Sequence, residues 1–360
     1  SKTILNIIPS LGDILSEKIV NFKKNKMIDE FKNSSINKNK YKGTDIGEYH
    51  QRYDTKNKIS VIHNFINKSD IKTVADVGCN SGAMSKNLSQ EVTGYDLTPQ
   101  KDLNHPKYYK YKQLDIINQD VIQERNCTLF LSIYHHILVH EGLEKADQVF
   151  YKLLFKSDYL IFDSGGPDEK KSRYWVKKLR GYFTSYKKLL DHFNVPYKTL
   201  GSWETGGAKR TIVVFSKKDA INSLTLISEY RRFIGTKNRK KGLILVSQCS
   251  EYDDSTIYKN AIFFHLKLGN IDFFGKKHLK QEDMINEFQN TKQVFEEIPS
   301  EKLLLFYGMT EKFGLLFPYL KIGDFKLLKK PVQLRLSDKK LEDVNQIVID
   351  GNIHYIDFER

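Results

Sequence analysis

The sequence predicts a doubly wound parallel α/β sheet followed by a smaller α+β domain. Three observations predict it. Between residues 60 and 216, apolar runs of strand length alternate with segments of helical periodicity, the pattern of βαβ units. The first such strand runs straight into a glycine-bearing turn. The chain has 360 residues, more than one ordinary core accommodates, and its pattern changes after about residue 217.

Taken in order, residues 1–55 read as a polar helical extension. Its apolar positions Ile4, Ile7, Ile8, Leu11, Ile14, Leu15, Ile19 and Val20 recur at helical spacing. Residues 56–218 carry the alternation. Val61–Ile66 reads as helix, Thr73–Val77 as strand, Met84–Leu88 as helix, and Val92–Tyr95 and Tyr109–Leu114 as strands. Thr128–Ser132 (strand), Leu143–Leu154 (helix), Tyr159–Asp163 (strand) and Tyr182–His192 (helix) follow, and Tyr197–Gly201 with Arg210–Ser216 reads as a closing strand pair. Residues 219–245 are the expected linker, rich in charge around Arg231-Arg232 and Lys237-Asn238-Arg239-Lys240-Lys241. Residues 246–360 form the second domain, strand-rich at first and helical around Glu282–Phe295.

Composition narrows the classes. Hydrophobic residues are 40% and charged residues 28%, which excludes a disordered or fibrous chain. No apolar run approaches the ~20 residues of a spanning helix, and no cleavable leader is evident, so a cytoplasmic protein is expected. Cys79, Cys127 and Cys249 lie far apart and fit a reducing compartment rather than a disulfide framework or zinc finger. A net charge of +14 favours polyanions: nucleic acid, phosphorylated glycan or an anionic membrane surface. The plainer alternative is a set of lysines scattered over solvated faces.

The chemistry concentrates at Val74-Ala75-Asp76-Val77-Gly78-Cys79-Asn80-Ser81-Gly82. Glycines there let the backbone bend sharply and approach a ligand. The spacing is neither the dinucleotide fingerprint nor the NTP phosphate loop. Asp96 ends the next strand, placed for a ribose diol, and Asp115 follows the third. The fourth strand ends in Ser132-Ile133-Tyr134-His135-His136, with His140 four residues on. An imidazole there can act as a general base or, protonated, pair with phosphate. No metal-ligand spacing is evident, and at least one of His135 and His136 is expected to be structural.

Together these elements resemble class I S-adenosylmethionine-dependent methyltransferases, Rossmann-like folds. The run Leu131–Ile137 with His140 and Gly142 resembles bacterial O-antigen chain-terminating methyltransferase–kinases, bifunctional enzymes that phosphorylate a glycan end and methylate that phosphate. The resemblance implies S-adenosylmethionine as cofactor, held by Asp76, Gly78, Asn80 and Gly82 in the loop, Asp96 at the ribose, Asp115 at the adenine, and Ser132. Arg52, in Gln51-Arg52-Tyr53-Asp54, would reach the cofactor carboxylate, with Tyr49 or Tyr53 over the site. His135 or His136 would be catalytic; His140, Trp203, Lys209 and Arg210 would meet the acceptor, with Gly206 and Gly207 beside them.

The resemblance extends to the second domain as a reduced kinase. Lys267 is the candidate strand lysine for Glu287, and Asp343, Asn345 and Asp357 would be remnants of the catalytic and magnesium-binding groups. Mg-ATP is the ligand such a domain takes. Against it, Lys340 occupies the place of the catalytic aspartate, and no glycine-rich nucleotide loop precedes the strands. An inactive or structural role is expected. The leading reading is O-methyl transfer to a phosphate or hydroxyl of a surface glycan. An RNA methyltransferase and a non-catalytic scaffold with a vestigial kinase stay open as alternatives.

Overall fold

The computed structural model describes residues 55–100, 103, 105–117, 125–170, 173–205, 208–230, 261–298, 305–320, 326–327, 332–349 and 352–356. The expected N-terminal helix, Tyr49, Arg52, Tyr53, Gly206, Gly207, the 231–241 basic cluster and Asp357 lie outside these residues.

The first sheet has seven strands: β1 (Thr73–Val77), β2 (Glu91–Asp96), β3 (Lys110–Gln113), β4 (Arg125–Leu131), β5 (Ser157–Asp163), β6 (Tyr197–Thr205) and β7 (Ala208–Ser216). Their order is β3-β2-β1-β4-β5-β7-β6. The first five are parallel, and the β6–β7 hairpin closes the edge, β7 running antiparallel to β5. The helices here are α1 (Thr55–Lys68), α2 (Tyr134–Glu141), α3 (Leu143–Phe155), α4 (Tyr174–Arg180), α5 (Tyr186–His192) and α6 (Lys217–Ser223). The order reverses between β1 and β4, so a crevice opens beyond their carboxyl ends, where α/β sheets bind ligands.

The central strands are buried along their length, as strands covered on both faces must be. The core centres on Phe150 of α3, stacked on Phe193 at 3.6 Å and 7°, with Phe162 and Phe215 meeting it edge-on. Such pairs add about 0.5–1.5 kcal/mol each beyond simple burial.

Three local readings change. Met84–Leu88 is a series of turns, not a helix, closed by Ser85 and Lys86 N–H groups on the Gly82 carbonyl. Gly82 at φ +70 breaks the helical path there, and the Ser85 hydroxyl is spent on Asp76. Helices α2 and α4 were not legible: α2 buries Tyr134, His135, Ile137 and Leu138 and presents no clean apolar stripe.

Beyond Ser216 the chain continues without a break through α6 and β8 (Thr225–Tyr230), which is the edge strand of a second sheet. That sheet is antiparallel, in order β11-β12-β10-β9-β8, with β9 (Ala261–Leu268), β10 (Ile271–His278), β11 (Gly308–Thr310) and β12 (Gly314–Pro318). Helix α7 (Gln281–Glu297) packs on it. A third sheet joins β13 (Lys326–Leu327), β14 (Val332–Arg335), β15 (Lys340–Ile349) and β16 (Asn352–Ile356).

The first two sheets share one apolar core. Phe273 of β10 meets Tyr151 and Phe155 of α3 at 5.7 and 5.6 Å, and Tyr307 stacks edge-on to Phe273 at 4.7 Å. Gly269, at φ +57 in the β9–β10 turn, sits so close to Tyr151 that a Cβ there would stand 2.4 Å from its hydroxyl. Lys156, next to α3, sets its ammonium 5.9 Å above both Phe295 and Phe306.

Candidate active site

The crevice has two sides. On the first, β1 delivers Asp76 and then the turn Gly78-Cys79-Asn80-Ser81-Gly82. Gly78, Asn80 and Gly82 all take positive φ, at +71, +46 and +70. Gly78 has a steric reason as well: a Cβ there would lie 2.4 Å from Ile133 Cδ1. The loop bends towards the tip of β2, where the Asn80 N–H donates to Asp96 Oδ2 at 2.9 Å and Thr98 N–H donates to Oδ1 at 3.0 Å. The Asp96 carboxylate is half-buried, with a lone pair on each oxygen left to accept a diol.

Asp76 behind the loop is buried. Ser85 Oγ–H donates to it at 2.6 Å and Tyr109 O–H at 3.4 Å, yet burial pushes its pKa up to about 6. Ser81 Oγ, also buried in the loop, has no hydrogen-bond partner within the protein among the described residues. Asp115 follows β3, half-buried, its Oδ1 accepting from the Ile117 N–H at 2.9 Å. The sequence-derived loop residues therefore converge with Asp96. Asp115 sits beyond the neighbouring strand.

The second side begins at the end of β4. Ser132 takes φ +59, an uncommon conformation for a residue with a side chain. Its hydroxyl donates to Asp163 Oδ1 at 2.9 Å and accepts from Arg210 Nη1 at 3.2 Å. Asp163 Oδ2 lies 3.4 Å from the Lys58 ammonium, both groups buried. Burial raises the Asp163 pKa, but the Lys58 and Arg210 charges outweigh it and hold the carboxyl below its ordinary value. Arg210 in turn grips Glu169, Nε to Oε1 at 2.7 Å and Nη2 to Oε2 at 3.2 Å. A chain of charge thus runs Lys58–Asp163–Ser132–Arg210–Glu169 across the ends of α1, β4, β5 and β7.

His135 is buried, and its Nδ1 accepts the Gly165 N–H at 2.8 Å, which fixes the ring proton on Nε2. Burial, then His136, Arg210 and Arg173, hold its pKa well below the ordinary value. His136 is partly buried, its ring 4.1 Å from that of His135 and 5.8 Å from Trp175. Burial and the neighbouring His140 and Arg210 push its pKa down to about 4, so it is neutral at pH 7. His140 is exposed in the last turn of α2. The guanidinium carbons of Arg173 and Arg210 stand 5.3 and 5.8 Å from the Trp175 ring centre. Trp203, on β6, lies 5.9 Å from the Lys58 ammonium, while Lys209 on β7 is exposed.

Sequence reasoning missed Lys58, Asp163, Glu169, Arg173 and Trp175. One signal was present: Leu160-Ile161-Phe162-Asp163 ends a strand in an acid just as the Asp96 strand does, and Gly165-Gly166 follow. Among the described residues no group of three His, Cys, Asp or Glu side chains could hold a metal ion. No described helix is long and apolar enough to cross a membrane.

In the second sheet the expected lysine changes. Lys267 is exposed on β9, and Glu287 of α7 instead pairs with Lys276 of β10, Nζ to Oε1 at 3.1 Å, both buried. Position along the hairpin explains the change, because Lys267 pairs with Asp272 near the turn and Lys276 lies four residues beyond Asp272 on the same face. Lys276 stands on the strand that leads into α7, on its face of the sheet, and His278 two residues on meets Glu287 Oε2 at 2.5 Å. Burial raises the Glu287 pKa, but Lys276 and His278 hold it below the ordinary range. Asp343 and Asn345 lie on β15, a continuous strand flanked by β14 and β16 rather than a loop.

No family model matches the sequence, and no curated protein matches it. Several solved structures are similar to it. The bifunctional kinase-methyltransferase WbdD is 13% identical, over 74% of this chain and 62% of that one, with a TM-score of 0.38. The N-methyltransferase NodS from Bradyrhizobium japonicum WM9, solved with S-adenosyl-L-homocysteine, is 10% identical over 48% of this chain and 93% of its own, at 0.35. The methyltransferase domain of bacterial CtHen1 is 13% identical over 45% of this chain and all of its own (100%), at 0.32. The chain spans about 62% of the length of the WbdD chain. Each of these solved structures is a methyltransferase or includes a methyltransferase activity by its own description.

Proposed function

We propose that this chain is an S-adenosylmethionine-dependent O-methyltransferase acting on a phosphate or hydroxyl oxygen at the end of a surface glycan. The observation that carries the reading is the joint made by the Asn80 N–H on Asp96 Oδ2, which couples the positive-φ loop to a carboxylate at the tip of β2. Asp96 would take the ribose diol, the Gly78–Gly82 backbone the methionine portion, and Asp115 the adenine. The cofactor supplies an activated methyl group. The chain's part is then to align an acceptor oxygen with it and to exclude water.

His135, locked by Gly165, is a positioning residue in this reading. His136, neutral at pH 7, is placed to accept a proton from a hydroxyl, and an acceptor already ionised needs no base. Trp203, His140 and Lys209 would border the acceptor, while Arg210 holds Ser132 and contributes positive charge. For the second sheet, the Lys276–Glu287 pair is one that kinases require. With Asp343 and Asn345 on a strand, a structural role is the reading we favour.

Thermal unfolding with S-adenosylhomocysteine and with Mg-ATP, each added alone, tests both statements. A ligand that binds only the folded state stabilises by about 2.7 kcal/mol at 100 Kd. A shift is expected with the first ligand, and none at saturation would end the methyltransferase reading. A shift with Mg-ATP would end the structural reading of the second sheet. Methyl transfer from labelled cofactor into a glycan fraction, resistant to ribonuclease, is the expected activity. Ribonuclease-sensitive label would move the acceptor to RNA.

A further inference from the structure

Asn80 is the odd member of the loop. Gly78 and Gly82 take positive φ freely, whereas Asn80 carries a side chain at φ +46, a conformation that asparagine adopts more readily than most residues but less freely than glycine. Its N–H is the group that meets Asp96. A contact on this peptide would add to that modest preference, and the structure contains one. His105, in the connection between β2 and β3, directs Nε2 at the Asn80 carbonyl oxygen. A carbonyl can only accept, so the imidazole proton is on Nε2. Nδ1 is then bare, and it is buried with no partner among the described residues. The ring is wedged between Tyr109 at 4.8 Å and Tyr111 at 5.0 Å, and Tyr111 O–H donates to the Asp96 carbonyl at 3.0 Å. The Cys79 sulfur lies 4.0 Å from Nε2.

We propose that His105 is a positioning residue of the cofactor site: its Nε2–H clamps the Asn80 carbonyl and holds the loop in the left-handed conformation that presents the Asn80 N–H to Asp96. The clamp rests on the proposed adenosyl-cofactor reading. It makes cofactor affinity depend on a residue remote in sequence, and it makes that dependence conditional on position 80. Where glycine occupies position 80, the left-handed conformation comes without help and the clamp has little to hold.

The test is a double-substitution cycle read by calorimetric titration of S-adenosylhomocysteine into the full chain. His105→Ala is expected to weaken binding about tenfold, within the range of coupling between residues in direct contact. Asn80→Gly supplies its own reference affinity, and adding His105→Ala to it is expected to cost less than about threefold relative to that variant. A loss in the Asn80→Gly background as large as in wild type, or no loss in the single variant, overturns the proposal. His105→Gln retains an N–H donor and serves should His105→Ala fail to fold. It is expected to bind within about threefold of wild type, and a tenfold loss there also overturns the clamp. Failure of wild type itself to bind would instead overturn the cofactor reading, a separate and distinguishable result.

Discussion

The two sides of the crevice are held by different means. The β1–β2 side is shaped by backbone: three positive φ values, glycines with no room for a Cβ, and a peptide N–H on a carboxylate. The β4–β5–β7 side is shaped by buried side-chain charge, linked from Lys58 to Glu169. The first side needs residues within about twenty positions of one another and was readable as a motif. The second collects Lys58, Ser132, Asp163, Glu169 and Arg210, which only the fold brings together. The backbone side should tolerate polar change and resist added atoms, and the charged side the reverse.

The largest expected effect is on the charged side. Asp163→Ala removes the acceptor shared by Lys58 and Ser132 and leaves a buried ammonium without its carboxylate. Breaking such a pair costs about 3–5 kcal/mol. Denaturant unfolding should show that loss, and pairing the change with Lys58→Met should recover part of it. Equal losses in the single and double variants would mean that the ion pair itself contributes little.

Next is the pH dependence of Asp76. Its pKa is raised from 3.8 to about 6, so the folded state holds its proton more tightly than the unfolded chain. Stability therefore falls as pH rises from about 4 to 6, and stays lower above that. Each pH unit in that window is worth about 1.4 kcal/mol, giving roughly 3 kcal/mol. Asp76→Asn still accepts from Ser85 and cannot ionise. The difference in stability between variant and wild type should grow in the variant's favour between pH 4 and 6. A constant difference would place the burial cost elsewhere.

On the backbone side, Gly78→Ala forces a methyl to within 2.4 Å of Ile133 Cδ1 at a φ of +71. Overpacking and the left-handed conformation together should cost about 2 kcal/mol. Ile133→Ala in the same chain removes both close carbons and leaves only Cβ, 4.0 Å away, so thermal unfolding of Gly78→Ala in the Ile133→Ala and wild-type backgrounds separates the steric part from the conformational part.

The same contrast explains what the sequence disclosed. The strands of the doubly wound sheet were readable since burial on both faces leaves near-continuous apolar runs, as in Leu129–Leu131 and Leu160–Phe162. Asp76, Gly78, Gly82 and Asp96 were readable since strand ends fix their positions. Helix α2 was hidden because its buried positions follow no clean stripe, and the Met84–Leu88 turns by a brief helical spacing that follows the positive-φ Gly82. The lysine for Glu287 went astray by one strand. Lys267 and Lys276 lie on the same face of one β-hairpin, and only their distance from its turn decides which one reaches Glu287 of α7.

The smallest expected effect compares neighbours on β7. Lys209 and Arg210 are adjacent basic residues, and in sequence they look interchangeable. Strand alternation sends them to opposite faces: Lys209 to solvent, Arg210 into the crevice with two hydrogen bonds to Glu169. Lys209→Ala should change folding stability by less than about 0.5 kcal/mol, as exposed substitutions do. A methyl-transfer assay at rising salt then isolates its remaining contribution, attraction of an anionic acceptor. Screening weakens surface charge, so the variant should lose acceptor affinity at low salt and match wild type near ~0.5 M. A deficit that survives high salt would mean that Lys209 touches the acceptor directly, and that the charged side of the crevice reaches beyond its buried chain.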